Sequence, residues 1–301
     1  MEPGGRPGAE VIAQKGWFYA HRYLILRRIS QLAILGLFLV GPLFGIWLVK
    51  GNLASSLTLD VLPLSDPLVL LQVFAAGHVP ETAALLGGLI VLVFYLIVGG
   101  RVYCSWVCPV NIVTDFAEWL RRRLGIKGSA HFSDKTRYWL LGAILLVAAV
   151  TGSVAWELIN PVSMVYRGLV FGMGLAWGIV AAVFLLDLFV GRRAWCGHLC
   201  PVGAFYGMLG EAAVLRVSAV RREQCDDCMD CFAICPEHQV IKPALKGADK
   251  GIGPVITSGH CTNCGRCIDV CARDVFAFST RFSNNSRQAV SGVNQKSEVS
   301  S

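Results

Sequence analysis

Four long apolar runs dominate the pattern of hydrophobic and polar positions along the chain. They lie at 31–49, 82–100, 138–156 and 169–190. Each has about the 20 residues that an α-helix needs to cross the hydrocarbon core of a bilayer. Asp187 is the one charged residue inside them. The pattern predicts an all-α membrane bundle of four transmembrane helices.

Basic residues alternate between the segments that flank these runs. Of the 27 Lys and Arg residues, five precede the first run, seven lie between the second and third, and thirteen follow the fourth. Positively charged flanks stay in the cytoplasm, so this partition predicts a multi-pass protein of the bacterial inner membrane with both termini cytoplasmic. It also accounts for the net charge of +7 without nucleic acid as a partner.

Composition and periodicity divide the chain further. With 54% hydrophobic and 16% charged residues, the chain is too apolar for a soluble domain of this length. The expected parts are a cytoplasmic N-terminal segment at 1–30, the four-span membrane domain at 31–200, a C-terminal α+β 2[4Fe–4S] ferredoxin-like domain at 217–281 and a disordered tail at 282–301. The tail is polar, and residues 1–14 are rich in Gly and Pro, so we expect neither to build a core.

An internal repeat ends each pair of apolar runs. The sequence RVYCSWVCPV occupies 101–110, and RAWCGHLCPV occupies 193–202. Arg, an aromatic residue, the C-x3-C-P motif and Val recur at the same offsets. Two hairpins of the same topology form parallel repeats, which predicts that both motifs lie on one face of the bundle.

The eight C-terminal cysteines have the spacing of bacterial ferredoxins. Each run has the form C-x2-C-x2-C-x3-C, and the second run begins 36 residues after the first. In this pattern the fourth cysteine of each run binds the cluster of the other run, which predicts two crossed [4Fe–4S] ligand sets. The first set is Cys225, Cys228, Cys231 and Cys271, and the second is Cys261, Cys264, Cys267 and Cys235. Zinc, which also binds C-x2-C pairs, needs fewer thiolates than two identical four-cysteine runs supply.

The C-x3-C-P pairs leave more than one interpretation open. Cys104 and Cys108, like Cys196 and Cys200, would face the same side of a helix about 5–6 Å apart, which suits a shared metal better than a disulfide. If the repeat brings the pairs together, the four thiolates could hold a further cluster. Redox-sensing thiols and purely structural cysteines are the alternatives. His198 lies inside the second pair, where packing is its more frequent role.

Few ionisable groups are available for proton chemistry in the membrane domain. Asp187 lies near the cytoplasmic end of the fourth run, and Glu157 follows the outward end of the third. A carboxylate inside a span is a functional candidate by default. Asp66, in the apolar outward segment 51–81, is interpreted as a solvated loop residue.

These motifs resemble the NapH family, which are ferredoxin-type quinol dehydrogenase membrane subunits of periplasmic nitrate reductase systems. The stretches that carry the resemblance include KGWFYAHRYLILRR, CSWVCPVNIVTDFAEWLRRR, WCGHLCPVGAFYG, CMDCFAICPE and CGRCIDVCARDVF. The resemblance implies an electron carrier without an independent substrate reaction. It would take electrons from the membrane quinol pool and pass them, through a periplasmic ferredoxin of the NapG type and a multihaem c-type cytochrome, towards nitrate reductase. It also calls for proton acceptors at a quinol site, for which Asp187, His198 and Glu157 are the candidates, with Asp187 preferred because the C-x3-C-P pairs are near. Asp60, Asp66 and His78 are further possible acceptors at the outward face.

Two other families share the motifs. Polyferredoxin-like membrane proteins that help to assemble copper-containing respiratory oxidases have both C-x3-C-P and ferredoxin motifs, and would make this chain an accessory factor. The membrane ferredoxins of methylamine utilisation, of the MauN type, are also similar.

Overall fold

A computed structural model describes residues 7–126, 128, 130, 133 and 135–283. The described residues form two compact units, each discontinuous in sequence. One unit draws on 1–26, 96–102 and 209–301, and the other on 27–95 and 103–208. Most of the tail that the sequence predicts to be disordered lies outside the described residues.

One described helix, α2 (Trp17–Phe44), is long and apolar enough to cross a membrane. It begins well before the first apolar run, so the expected boundary at residue 30 falls inside a continuous helix. Three shorter apolar helices follow the other runs: α4 (Thr82–Val98), α6 (Thr136–Thr151) and α8 (Gly174–Leu185), which continues as a π-helix over Leu186–Val190. A helix-rich fold is therefore present, and α4 coincides closely with its predicted run.

The segment between the first two apolar runs is structured, in contrast to the expected loop. Strands β1 (Val49–Gly51), β2 (Ser55–Thr58) and β3 (Leu62–Ser65) form an antiparallel sheet in that order. Helix α3 (Pro67–Ala75) follows directly, capped by the Asp66 carboxylate, which accepts the Leu68 N–H at 2.9 Å. Asp at the N-cap followed by Pro at the first helical position is a strong helix-start signal.

A pair of glycines lets this segment pack against α4. A Cβ on Gly87 would lie 2.8 Å from the Pro63 carbonyl oxygen, and one on Gly88 would lie 2.1 Å from a methyl group of Leu70. Small residues allow such close backbone approach between packed membrane elements. The segment therefore folds back along the helix, and Asp66 does not lie in a solvated loop.

The second repeat also contains a short helix that begins with a capping Asx residue followed by Pro. Helix α7 (Pro161–Phe171) is capped by Asn160, whose side chain accepts the Val162 N–H at 3.2 Å. Each repeat therefore places an Asx–Pro capped short helix before its apolar helix and its C-x3-C-P motif. Helices α5 (Val110–Arg123) and α9 (Pro201–Ala212) follow the two motifs.

The unit that includes residues 209–283 contains the eight ferredoxin cysteines and is the ferredoxin-like unit. Two antiparallel strands close it, β4 (Leu215–Ser218) and β5 (Ala277–Thr280). Three short helices lie between them: α10 (Asp230–Ile234), α11 (Ile241–Lys246) and α12 (Arg266–Asp269). The N-terminal segment also belongs to this unit, where the sequence suggests no core. Helix α1 (Ala9–Lys15) buries Val11 completely, and Lys15 pairs with Asp274 at 2.7 Å.

Candidate metal centres

Four cysteines from both runs line one cavity in the ferredoxin-like unit. They are Cys225, Cys228, Cys231 and Cys271. Asp227 and Met229 have left-handed backbone conformations, with φ of 60° and 64°. Such turns direct successive N–H groups inward and form a concavity that suits anionic iron–sulfur clusters.

The other four cysteines line a second cavity. They are Cys235, Cys261, Cys264 and Cys267. Asn263 and Gly265 have the left-handed conformations that Asp227 and Met229 have in the first loop. Gly265 is required here because a Cβ would lie 2.6 Å from the Tyr23 ring. Each cavity thus has the crossed set of four thiols that the spacing predicts.

The surroundings of these thiols raise their pKa, so the thiols give up their protons only when iron binds. Burial raises the pKa of Cys231 to about 12, and the neighbouring thiols Cys228, Cys271 and Cys225 contribute in the same direction. Burial likewise raises the pKa of Cys267 well above its usual range. Iron binds the thiolate form, so cluster insertion releases protons and stabilises the loops. Among the described residues, no three His, Cys, Asp or Glu side chains converge closely enough to hold a single metal ion.

A buried ion pair fixes the chain beside the second cavity. Arg101, 2% exposed, donates to the Glu237 carboxylate at 2.8 Å and to the His260 carbonyl oxygen at 2.9 Å. Burial opposes ionisation of Glu237, but Arg101 and hydrogen bonds from His260 and Gln239 outweigh it and hold the pKa of Glu237 well below its usual range. Glu237 lines the cavity, and His260 precedes its ligand candidate Cys261.

The four C-x3-C-P cysteines come together in the other unit. Their first members lie in π-helical turns, Tyr103–Val107 and Ala194–Leu199. Burial raises the pKa of Cys196 well above its usual range, and Asp187, Cys200, Cys108 and Cys104 raise it further. All four thiols are therefore close enough to interact electrostatically, as the repeat predicts. The π-helical turn replaces the α-helical spacing that we expected.

Buried charges connect the two motifs within this unit. Arg193, three residues before Cys196, pairs with Asp115 and Glu118 on α5, the helix that follows the first motif. Asp115 also accepts from Arg27 at 3.1 Å and pairs with Arg28. A buried network of this kind stays in place only if every charge is compensated.

The candidate quinol-site residues occupy different positions. Asp187 is 1% exposed; its Oδ1 accepts the Trp195 N–H at 2.9 Å, and its Oδ2 has no partner among the described residues. His198 is partly buried within the second π-helical turn. Glu157 is partly buried, and its two oxygens accept from Asn160 at 2.9 Å and Ser163 at 2.5 Å. Asp187 is close enough to the Cys196 thiol to raise its pKa.

Sequence reasoning missed the contact between Asp66 and Tyr206. The Tyr206 hydroxyl donates to Asp66 Oδ1 at 3.1 Å, across 140 positions of sequence. The Tyr206 ring stacks on that of Tyr103, with centroids 4.9 Å apart. The Asp–Pro dipeptide could have predicted the helix start at Asp66, but no local signal names Tyr206 as its partner.

Two families of iron–sulfur domains match the sequence. The family described as a 4Fe-4S binding domain matches residues 81–127 and 171–220, which contain the two C-x3-C-P motifs. The family described as a 4Fe-4S dicluster domain matches residues 224–275, which contain the eight ferredoxin cysteines. No solved structure matches the chain.

Curated relatives cover nearly the whole chain. The ferredoxin-type protein NapH of Haemophilus influenzae is 48% identical over 92% of this chain and 96% of its own length. NapH of Escherichia coli K12 is 49% identical over 93% of this chain and 97% of its own length. The methylamine utilization ferredoxin-type protein MauN of Paracoccus denitrificans is 56% identical over 89% of this chain and 94% of its own length.

Proposed function

Since the chain belongs to the family of ferredoxin-type proteins that includes NapH and MauN, we propose that it carries electrons from membrane quinol towards a periplasmic nitrate reductase. The observation that carries this proposal is the pair of cavities, each surrounded by four thiols from both cysteine runs. Such a dicluster domain suits electron transfer.

The residues that would hold the iron follow from the two cavities. Cys225, Cys228, Cys231 and Cys271 would hold one [4Fe–4S] cluster, and Cys235, Cys261, Cys264 and Cys267 the other. Each cluster, when bound, takes up and gives back one electron at a time. The chain's own contribution is to bury the thiols of Cys231, Cys264 and Cys267 and to stabilise the second cavity with the Arg101–Glu237 ion pair.

A further iron–sulfur centre at the C-x3-C-P motifs is part of the proposal. Two observations support it: the four thiols Cys104, Cys108, Cys196 and Cys200 interact electrostatically, and the 4Fe-4S binding family matches both segments. The partly buried setting, with Thr114 3.8 Å from the Cys196 sulfur, suits a protected metal centre.

Membrane placement follows from the charge partition. The chain would cross the inner membrane four times, with the basic flanks and both termini in the cytoplasm. Support comes from the long apolar helix α2 and from the three shorter apolar helices.

Quinol oxidation releases two electrons and two protons, so the site needs proton acceptors near an electron acceptor. The iron–sulfur centres would take the electrons one at a time. Asp187, beside Cys196, is the sequence-based candidate for a proton acceptor, with His198 and Glu157 as further candidates. The expected downstream partners are a ferredoxin of the NapG type and a multihaem c-type cytochrome.

Methylamine utilisation is a second candidate pathway, because identity to MauN reaches 56% whereas identity to NapH is 48–49%. Both pathways would use the same clusters, so the two proposals differ in the physiological acceptor or donor.

The test combines genetics with anaerobic spectroscopy. Deleting the gene should abolish periplasmic nitrate reduction, and the wild-type gene should restore it while Cys228→Ala does not. The purified protein in lipid nanodiscs should show bleaching of its iron–sulfur absorbance when decylubiquinol or menadiol is added.

Two outcomes would contradict the proposal. Normal nitrate reduction with lost growth on methylamine would move the chain to the second pathway. Clusters that accept electrons from dithionite but from neither quinol would exclude direct quinol oxidation.

A further inference from the structure

The Asp66 carboxylate has one oxygen left for a ligand. Asp66 Oδ1 accepts both the Leu68 N–H at 2.9 Å and the Tyr206 hydroxyl at 3.1 Å. Oδ2 has no hydrogen bond to any of the residues that the structure describes, and Asp66 itself is only partly buried. A carboxylate in this position is fixed by two donors on one oxygen and keeps the other oxygen unbonded.

Three buried tyrosines surround this carboxylate. Tyr206 is 1% exposed, Tyr103 is 7% exposed and Tyr95 is 6% exposed. Tyr103 stacks on Tyr206 at 4.9 Å between centroids, and Tyr95 meets Tyr206 edge-on at 5.0 Å. The Tyr206 hydroxyl contacts the Asp66 carboxylate directly at 3.1 Å, and burial followed by Asp66 raises the pKa of Tyr206.

Two of these hydroxyls lack protein partners. Within the described ranges, neither Tyr95 nor Tyr103 has a side-chain hydrogen bond, although each residue is more than nine-tenths buried. Neither hydroxyl oxygen is among the completely buried, unpartnered side-chain atoms of the described residues, so each keeps some access to solvent. Together with Asp66 Oδ2, they provide one acceptor and two donors for a ligand beside an aromatic surface.

The site adjoins the C-x3-C-P motifs. Tyr103 immediately precedes Cys104, and the Cys108 N–H donates to the Tyr103 carbonyl oxygen at 2.9 Å. A ligand held by the tyrosines would therefore lie next to the thiols proposed to hold a redox centre.

The other candidate acids are less suited to contact a ligand. Asp187 is 1% exposed, whereas the Asp66 carboxylate is partly exposed. Both oxygens of Glu157 are already hydrogen-bonded, to Asn160 and Ser163. Asp66 combines accessibility, a free acceptor oxygen and neighbouring phenol donors.

From this arrangement we infer that Asp66, Tyr206, Tyr103 and Tyr95 form the binding site for the hydroxylated ring of a quinol. The inference rests on the proposed function and replaces Asp187 as the first proton acceptor. One quinol hydroxyl donates to Asp66 Oδ2, and the hydroxyl of Tyr95 or Tyr103 donates to the same quinol oxygen. The O–H bond then breaks, the proton moves to Asp66, and a quinol anion remains for oxidation.

The acid–base properties of Asp66 suit this step. Burial raises its pKa to about 6; the Leu68 N–H and Tyr206 hydroxyl oppose the rise, and Glu157 adds to it. Asp66 is therefore a stronger base than an ordinary Asp and still ionised at neutral pH. Below pH 6 it is protonated and cannot accept the quinol proton, so the rate should fall about tenfold per pH unit.

Binding of decylubiquinone to the holoprotein in nanodiscs tests the site directly. Asp66→Asn and Tyr206→Phe should each weaken binding by about tenfold or more, as expected when a hydrogen bond to a charged group is lost. Tyr206→Phe keeps the aromatic stack and so controls for packing. Asp60→Asn is the matched control, because Asp60 is exposed in the same segment and pairs with exposed Lys50. It should bind like the wild type.

An azido derivative of the quinone provides a second readout that needs no electron transfer. Labelled peptides should map to the segments around residues 66, 95 and 206 in the wild type and disappear in Asp66→Asn. The rate of cluster reduction by quinol should rise with pH up to about 6 in the wild type and lose this dependence in Asp66→Asn.

The outcomes separate this inference from the proposed function. If Asp66→Asn and Tyr206→Phe bind quinone like the wild type while Asp187→Asn loses binding, the site is wrong and quinol oxidation stands. If the wild type neither binds quinone nor is reduced by quinol, both are overturned. Iron content and thermal stability of every variant are measured first, so that an unfolded variant is recognised and Tyr103→Phe takes its place.

Discussion

At the scale of single residues, the arginines that precede the two C-x3-C-P motifs have different roles. Arg193 pairs with Asp115 and Glu118 of the membrane-domain unit, whereas Arg101 pairs with Glu237 of the ferredoxin-like unit. The repeat predicts that both arginines matter, but it cannot predict their partners. In the second repeat, the positions equivalent to the two acids are glycines, Gly207 and Gly210.

Replacing Arg101 with Ala should leave the Glu237 charge buried without compensation. Removing one partner of a buried ion pair costs about 3–5 kcal/mol, whereas an exposed pair contributes about 0–1 kcal/mol. We expect a lower midpoint of thermal unfolding and preferential loss of iron from the cavity that contains Cys235. Lys50→Ala, which breaks the exposed pair with Asp60, is the control and should change neither. Equal effects of the two substitutions would show that the Arg101 pair does not stabilise the cavity.

The cysteines could be assigned from sequence because their spacing is local. A loop with ligands every third residue surrounds one corner of a cluster almost regardless of the rest of the fold. Asp66 and Tyr206 are 140 positions apart, and nothing in the residues around either one indicates the other. Burial of Asp66 depends on how the segment before α4 packs against that helix, and the hydropathy pattern does not predict this packing.

At the scale of elements, Gly87 and Gly88 determine where that segment packs. The apolar run at 82–100, which contains both glycines, predicts a helix, and the structure has α4 there. The reason for the glycines appears only when the Pro63 backbone and the Leu70 side chain are seen against them. The Asp–Pro and Asn–Pro dipeptides before α3 and α7 were the signal for two additional helices, which a search for 20-residue runs overlooks.

Gly87→Ala should destabilise the unit formed by residues 27–95 and 103–208. Its Cβ would meet the Pro63 backbone at 2.8 Å, which cannot move as a side chain end can, so a loss of about 1–3 kcal/mol is expected. Gly142→Ala in α6 is the matched control, since a Cβ there meets nothing within 4 Å. Thermal unfolding in detergent should show a lower midpoint for the first variant and an unchanged or higher one for the second. If both behave alike, close packing at Gly87 is not limiting.

At the scale of the whole molecule, the two cavities mix the two cysteine runs. Cys231 and Cys235 are four residues apart in one run but lie on different cavities. Family membership and iron–sulfur chemistry were predicted correctly from the same motifs, because they depend on residue types and spacing.

Single cysteine variants should therefore fall into two classes that cut across the runs. Cys231→Ala and Cys271→Ala should each lose half of the ferredoxin-domain iron and leave the same residual EPR spectrum. Cys235→Ala and Cys264→Ala should leave the other spectrum. If Cys235→Ala instead resembles Cys231→Ala, each run holds its own cluster and the crossed arrangement is wrong.

The discontinuous ferredoxin-like unit also has a consequence for biosynthesis. The Gly8 N–H donates to Asp230 at 2.8 Å, and Leu215 pairs with Thr280 across the closing strands. The ribosome makes α1 before the apolar helices and β5 after them, and chains fold from the N-terminal side as they emerge. Helix α1 must wait, without its partners, until the apolar helices have left the ribosome and β5 has been made. Closure of this unit, and the environment that the clusters require, therefore come after synthesis of the apolar helices.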